Sequence, residues 1–421
     1  TDCSIKQLGN SANAKLSITS KGNLPVSIGN EINDTLQIYE NRALLSGDVG
    51  IGTTTPNYKL DVNGDINFTG NLTKTISTDP VIVPNVSIND NGSFKTVIFE
   101  NTGDEQTIYD VHFPKDTICD ILLIGGGGGG GGGNGGGCGG GGGAGGLIYK
   151  TNQTLSGTYN ILVGKGGLGM EYSSTTMVNN NNNGRDSGIY DSSNNVLYLT
   201  KGGGAGGART ANGASGGSGG GGGGGNSSTS GTGALPINSD PYIHSIGNSG
   251  GDGNKYAKGG GGGGAGGQGS LATGRTAASG AAGNGGLPKI VDITGENRAY
   301  AGGGGGGAWQ VAPGEGGSVV IDGQIVKVGG DGGYNAQVTV PGNGVPHTGS
   351  GGGGAKHFAN LGTPQNAGNG GSGIVIIRYL STTETIEIES YSDDKVENIL
   401  ANLDTHIVPS VDETIDIGST D

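Results

Sequence analysis

The 421-residue sequence predicts an all-β protein whose middle is built from glycine. Three observations carry this expectation. Residues 1–120 hold 10 of the 99 glycines and residues 381–421 hold one, so 88 fall in 121–380. Between the glycine runs the chain returns repeatedly to short aliphatic segments of strand length. Two-residue turn signals, Asn63-Gly64 and Asp322-Gly323, join some of these segments as hairpins do. Average glycine usage is about 7%, and high glycine without a period usually marks disorder. Disordered sequence, however, does not keep returning to aliphatic strands.

The composition step divides the chain into residues 1–92, 93–380 and 381–421. In the first region Lys15–Ile18, Thr35–Tyr39, Lys59–Val62 and Ile66–Phe68 alternate in polarity. These thin strands have little core of their own and call for partner chains. In the second, Phe94–Glu100, Thr107–Phe113 and Cys119–Ile124 follow at about a dozen residues apart, the spacing of an antiparallel sandwich. Gly146–Lys150, Thr158–Val163, Val196–Leu199, Ser318–Ile321, Gln324–Val328 and Gly373–Tyr379 continue the pattern. The run Ile374-Val375-Ile376-Ile377 reads as a strand buried on both faces. In the third region Asp394–Asp404 can form a short helix, with Val396, Ile399 and Leu400 on one face. The opening TDCSIKQ and closing DETIDIGSTD read as a piece of a longer protein.

Charge and cysteine content exclude several classes. The formal net charge is -14 with a sequence pI near 4.7, the wrong sign for wrapping nucleic acid. No apolar run reaches the eighteen residues of a membrane span, so no membrane insertion is expected. The three cysteines Cys3, Cys119 and Cys138 lack metal-site spacing. Cys119 and Cys138 can bridge, or Cys119 can serve as a buried thiol in its strand.

The stretch ILLIGGGGGGGGG, from Ile121 to Gly133, resembles the start of a nucleotide-binding loop. A dinucleotide fingerprint needs a helix after its glycines, but AGGLIYK and then TNQTLSGTYNILVG follow here. A Walker A loop needs Ser or Thr after Gly-Lys, yet Gly164-Lys165 precedes Gly166. His112, His244, His347, His357 and His406 are isolated from any catalytic pattern, so no enzyme and no cofactor is expected. The glycines read instead as packed polyglycine II. Such chains are extended, left-handed, with three residues per turn, and each N–H and C=O points outward to a neighbouring segment. Interior segments then have to be nearly pure glycine, as in 125–133, 139–143, 219–225, 259–264, 302–307 and 351–354.

The segments SFKTVIFENTG, TIYDVHFPKDTICDILLIGGGGGGGGG, GGAGGLIYK, LSGTYNILVGKGG and GGSGIVIIRY resemble a glycine-rich domain of viral and phage fibre proteins. They are also similar to the glycine-rich extracellular domain of anaplastic lymphoma kinase. The resemblance covers about residues 93–380. It implies a jelly-roll-like β-sandwich with an inserted polyglycine II bundle. GDVGIGTTTPNYKLDVNGDINFTGNL and HIVPSVDETIDIGSTD resemble repeats of tail-fibre and surface-fibre proteins, which implies flanking fibre-type β segments and a homotrimer. The function this implies is non-enzymatic: a virion-surface or tail-fibre protein that holds a rigid domain out for host attachment. The alternative is a filament subunit or spacer with no receptor of its own. Tyr242, His244, Trp309, Gln310, Tyr334, His357 and Phe358 sit in loops between glycine runs and are the candidate contacts to a host-surface glycan or protein.

Overall fold

The computed structural model describes residues 94–380 apart from 104, 134–135, 172–181, 226–245, 335–338 and 357–365. It also describes 79–83, 86, 88–90 and the backbone of six further short strands. Among the described residues there is no helix, and eighteen strands follow in order. They are β1 Lys6–Leu8, β2 Lys15–Ser17, β3 Val49–Ile51, β4 Leu60–Val62, β5 Leu72–Ser77, β6 Val81–Val83, β7 Ile88–Asp90, β8 Phe94–Glu100, β9 Thr107–Ile124, β10 Leu147–Val163, β11 Ser187–Asp191, β12 Val196–Thr200, β13 Lys289–Val291, β14 Arg298–Tyr300, β15 Ser318–Ile321, β16 Gln324–Lys327, β17 Ile374–Leu380 and β18 Thr383–Ile388.

The chain divides into two compact units. The smaller comprises Thr1–Thr73 and Glu387–Asp421, where β1 pairs with β2 antiparallel and β3 with β4 in parallel. The Asn63-Gly64 turn and the Asp394–Asp404 helix lie outside the described residues. The larger unit, Lys74–Ile386, contains the eight-stranded sheet and the glycine-rich segments.

That sheet runs β12-β11-β10-β9-β17-β8-β7, antiparallel throughout, with β6 added to β9. The sequence suggests four strands where the chain makes two. Thr107–Phe113 and Cys119–Ile124 join into the 18-residue β9, and β10 runs 17 residues beside it from Leu147↔Ile124 to Val163↔Thr107. Drawn straight, β9 would span about 56 Å. It is folded back on itself instead. Ser187 leads β11 at the level of Val163, yet its buried Oγ donates to the carbonyl of Ile124, at the opposite end of β9, over 2.8 Å.

The fold occurs where β10 slips register, between Lys150 and Gln153 and between Leu155 and Gly157. Asn152 and Gly157 there take φ of 55° and 81°, as bulges that bend a ribbon commonly require. Asp120 pins the bend by accepting from the Asn152 N–H at 3.0 Å and from Arg378 at 2.7 Å.

The two halves enclose one apolar core. Ile121, Leu123, Val375, Ile377 and Tyr379 meet Val111, Phe113, Ile161, Val163 and Ile189, with Phe99 edge-on to Tyr109 at 5.3 Å between centroids. Burial alternates along β9 until Ile121, after which every residue is buried. Leu122, Ile124, Ile374 and Ile376 turn to the opposite face, where Val291, Ile293, Tyr300 and Ala301 cover them. The apolar run of β17 is accordingly buried on both sides, as its sequence suggests. Cys119 and Cys138 are buried thiols and are not joined in a disulfide. Burial pushes the Cys119 thiol up to about 12.

Glycine-rich segments leave from one end of this folded sheet. They emerge after Ile124, Val163 and Thr200 and return at Leu147, Ser187 and Ile374. The departing and returning chains are tied at once, Gly125 N–H to Gly146 O, Gly146 N–H to Lys201 O and Gly373 N–H to Gly164 O.

The segment 125–133 shows the rule of the array. Gly125, Gly128 and Gly131 donate to Gly146, Gly143 and Gly140; Gly126 and Gly129 to Arg185 and Asn182; Gly127 and Gly130 to Gly371 and Gly368, all at 2.8–3.1 Å. Every third residue thus faces the same neighbour. The carbonyls follow the same period. Those of Gly126 and Gly129 accept from Gly203 and Gly206, those of Gly127 and Gly130 from Gly167 and Met170, and those of Gly128 and Gly131 from Gly352 and Ala355. One segment therefore has three neighbours that accept from it and three others that donate to it.

The physical requirement for glycine here is the missing Cβ. A Cβ at Gly128, Gly141 or Gly306 would lie closer than 3.0 Å to a backbone carbonyl of the next segment, and no left-handed φ is involved at any of the three. Asp322 and Gly323, by contrast, form the two-residue turn of β15–β16 with φ of 50° and 78°. That is the paired positive φ of a type I′ hairpin, as the sequence signals.

Candidate functional site

Away from the sheet, the glycine runs end in side chains. Hydrogen-bond register places Gly131, Gly140, Gly207 and Gly307 toward the far end of their segments, and the residues just beyond them form a distal layer. Cys138, Ala208, Lys258, Ala308, Ala355 and Lys356 are all buried in it. The sequence places each at the end of a glycine run, where the packing that forbids a Cβ stops.

Lys258, Ala308 and Tyr334 lie on adjacent segments, joined by bridges Lys258↔Ala308 and Ala308↔Tyr334. Trp309, next in the chain, is half-buried, and Gln310 is exposed. Tyr334 packs partly against Ala282, Ala308 and Val311, so its ring serves the core of the layer as well as its edge. Its backbone closes a loop with Thr339, N–H to Oγ1 at 2.8 Å and O from N–H at 3.1 Å. Among the sequence candidates the layer brings Trp309, Gln310 and Tyr334 together. Tyr242, His244, His357 and Phe358 lie outside the described residues.

The sequence reading does not select the cations. Lys258 is fully buried; its Nζ donates to the Thr276 carbonyl at 2.8 Å and stands 5.5 Å from the Tyr256 ring centroid. Burial holds its pKa below the ordinary lysine value, with the nearby Cys138 acting in the opposite sense. Lys356 is 3% exposed, and its Nζ has no hydrogen-bond partner. Burial lowers its pKa as well. The Nε of Arg209 is likewise buried without a partner. The signal for both lysines is a basic residue set against the end of a glycine run, as in Ala257-Lys258-Gly259 and Gly354-Ala355-Lys356.

A concavity of about 480 Å³ lies at the sheet end of the array, lined by residues that include Gln106, Arg185, Asp186, Lys201 and Ser215. Its charges are mostly committed: Asp186 accepts from Lys201 Nζ at 2.8 Å and from Gly202 N–H at 2.9 Å, and Gln106 donates to the Asp186 carbonyl. The described residues contain no cluster of His, Cys, Asp or Glu that could hold a metal. They contain no helix long and apolar enough to cross a membrane.

A fold in which glycine segments pack against a folded antiparallel sheet defines a glycine-rich domain protein. Residues 103–380 match the glycine-rich domain family, and the chain belongs to it. No curated protein matches the chain.

Proposed function

We propose that this is a non-enzymatic virion-surface or tail-fibre protein that displays its glycine-rich domain for host attachment. One observation carries the reading. The array is almost free of side chains along its length and gathers Trp309, Gln310 and Tyr334 at the end away from the sheet, none of them fully buried. A shaft of that kind holds a small recognition surface at a fixed distance from its base.

The array is a bundle of polyglycine II helices in this reading. Its support is the three-residue period of donors and acceptors along 125–133 and the lack of left-handed φ at those glycines, both properties of that left-handed form. At about 3.1 Å per residue the nine-residue run extends roughly 28 Å. The folded sheet corresponds to the jelly-roll-like sandwich that accompanies such bundles. Residues 1–92 and 381–421 are fibre segments that trimerise, and trimerisation combines weak sites into firm attachment to a host-surface glycan or protein. The protein then works at the virion surface or outside the cell, without a cofactor.

Light scattering after size exclusion tests the assembly. A closed particle of three times 41.2 kDa, fibre-shaped in negative stain, is the expected result. A monomer, or an open growing filament, would contradict it, since heterologous contacts that never close build fibrils and not heads.

A further inference from the structure

We infer that the Asn212-Gly213 peptide is a site of spontaneous deamidation, the one Asn-Gly pair among the described residues that the glycine array does not hold shut. The inference is independent of the attachment reading.

Eight Asn-Gly pairs occur in the sequence, and five of them, at Asn183, Asn212, Asn284, Asn343 and Asn369, lie among the described residues. In such a pair the glycine nitrogen gives up its proton to a solvent base and attacks the asparagine Cγ. An N–Cγ bond forms, the Cγ–Nδ2 bond breaks and ammonia leaves, which closes a succinimide ring. Water then opens the ring at either carbonyl and gives aspartate or isoaspartate; no oxidant or reductant takes part. The step needs an unhindered nitrogen and a backbone able to bring that nitrogen onto Cγ, and glycine, without a side chain, supplies both.

Four of the pairs are tied at both reacting groups. The N–H groups of Gly184, Gly285, Gly344 and Gly370 donate to the carbonyls of Gly203, Glu315, Asn369 and Gly167 at 2.8–2.9 Å. The side-chain oxygens of Asn183, Asn284, Asn343 and Asn369 accept from the backbone N–H groups of Ala205, Glu315, Asn369 and Gly169 at 2.7–2.9 Å. Each asparagine thus completes a donor at the edge of the array, while the N–H that follows it is spent on a neighbouring segment. Attack there requires the segment to open first, and the rate falls with the fraction open. Asn212 differs. It is exposed, in the stretch 208–215 that joins the glycine-rich stretches 202–207 and 216–225. On either side of the pair, Ala211 and Ala214 donate to the carbonyls of Ala208 and Ala205, but the Gly213 N–H meets no acceptor among the described residues. Its nitrogen reacts from the folded state, and the other four do not.

The test incubates the full chain in mildly alkaline buffer at fixed temperature and maps its proteolytic peptides over time by mass spectrometry that separates aspartate from isoaspartate. Asn212 should convert at least about tenfold faster than Asn183, Asn284, Asn343 and Asn369, a difference of about 1.4 kcal/mol, and should give both products, as a succinimide does. In denaturant the five sites should convert at similar rates. Asn212→Gln should abolish the fast phase and leave the other four rates as they are, because the longer side chain closes the ring poorly. Conversion of all five sites at one rate in the folded chain, or a faster site among the other four, would overturn the inference. So would an Asn212 that keeps its amide while the denatured chain reacts, or a fast phase that survives Asn212→Gln. Widely different rates in denaturant would overturn it as well, since neighbouring residues and not the array would then set the order.

Discussion

The folded sheet and the glycine array are held by the same backbone hydrogen bond under opposite packing rules. In the sheet, side chains fill the space between layers, and removing one leaves a hole. In the array, backbones fill all the space, and adding one methyl group has nowhere to go. A net hydrogen bond contributes about 0.5–1.5 kcal/mol, whereas ordering a residue's backbone costs about 1–2 kcal/mol, and glycine loses the most. Hydrogen bonds alone therefore do not hold the array. Close contact among many segments, with the chain tied into the sheet at Ile124, Leu147, Val163, Ser187, Thr200 and Ile374, supplies the rest.

The largest expected effect comes from breaking the array's rule. Gly141→Ala and Gly128→Ala each place a Cβ on a backbone carbonyl and should destabilise by about 3 kcal/mol or more, or prevent folding. Gly267→Ala meets only ordinary contacts at 3.6 Å and should stay within about 0.5 kcal/mol. Thermal melts of the pair decide the matter: equal effects would show that position in the array is irrelevant. In the sheet the opposite change is the damaging one. Leu123→Ala, at a fully buried site, should cost about 2–5 kcal/mol in chemical denaturation, and a near-zero cost would mean the two halves of the sheet do not share a core.

A smaller effect is confined to alkaline pH. The folded thiol of Cys119 titrates near 12 against 9.0 unexposed to the fold. Its contribution is fully present below pH 9.0 and is lost as pH rises through the folded value. Tyr379 is shifted in the same direction, chiefly by burial, while Lys258 and Lys356 are shifted downward and oppose the trend. Comparison of the wild type with Cys119→Ala isolates the thiol. By pH 10.5 the wild type should lose about 2 kcal/mol more than the variant, and parallel pH curves would refute the buried thiol. The smallest effect is at the β15–β16 turn. Asp322-Gly323→Ala-Ala forces two positive φ angles on alanine and should cost about 1–2 kcal/mol, read as a local loss of amide protection between Ser318 and Lys327.

Much of this architecture is legible in the sequence because its rules are local. Phe94–Glu100 shows as a strand at both boundaries, and Asp322-Gly323 names its turn. The bends are less visible. Pro114, Lys115 and Asp116 suggest a break between two strands, and they are indeed unpaired with β10, bulging opposite Ser156; pairing resumes at Thr117, so one strand runs through. The strands β11, β13 and β14 are short, and their pairing is set by distant segments rather than by their own pattern. At the distal end, Trp309 and Tyr334 stand out as aromatics among glycines. Lys258 and Lys356 do not, since only the alignment of glycine runs in three dimensions shows that they share a layer.

Hydrogen–deuterium exchange, read by mass spectrometry on peptides covering 125–146 and 302–307 beside 107–124, tests the central claim most directly. Amides of the array that are bonded to a neighbouring segment, Gly125–Gly131 and Cys138–Gly146 among them, should be protected on the same timescale as those of β9. Exchange of the glycine peptides at random-coil rates, with β9 protected, would mean that the glycines are a linker and the array does not exist in solution.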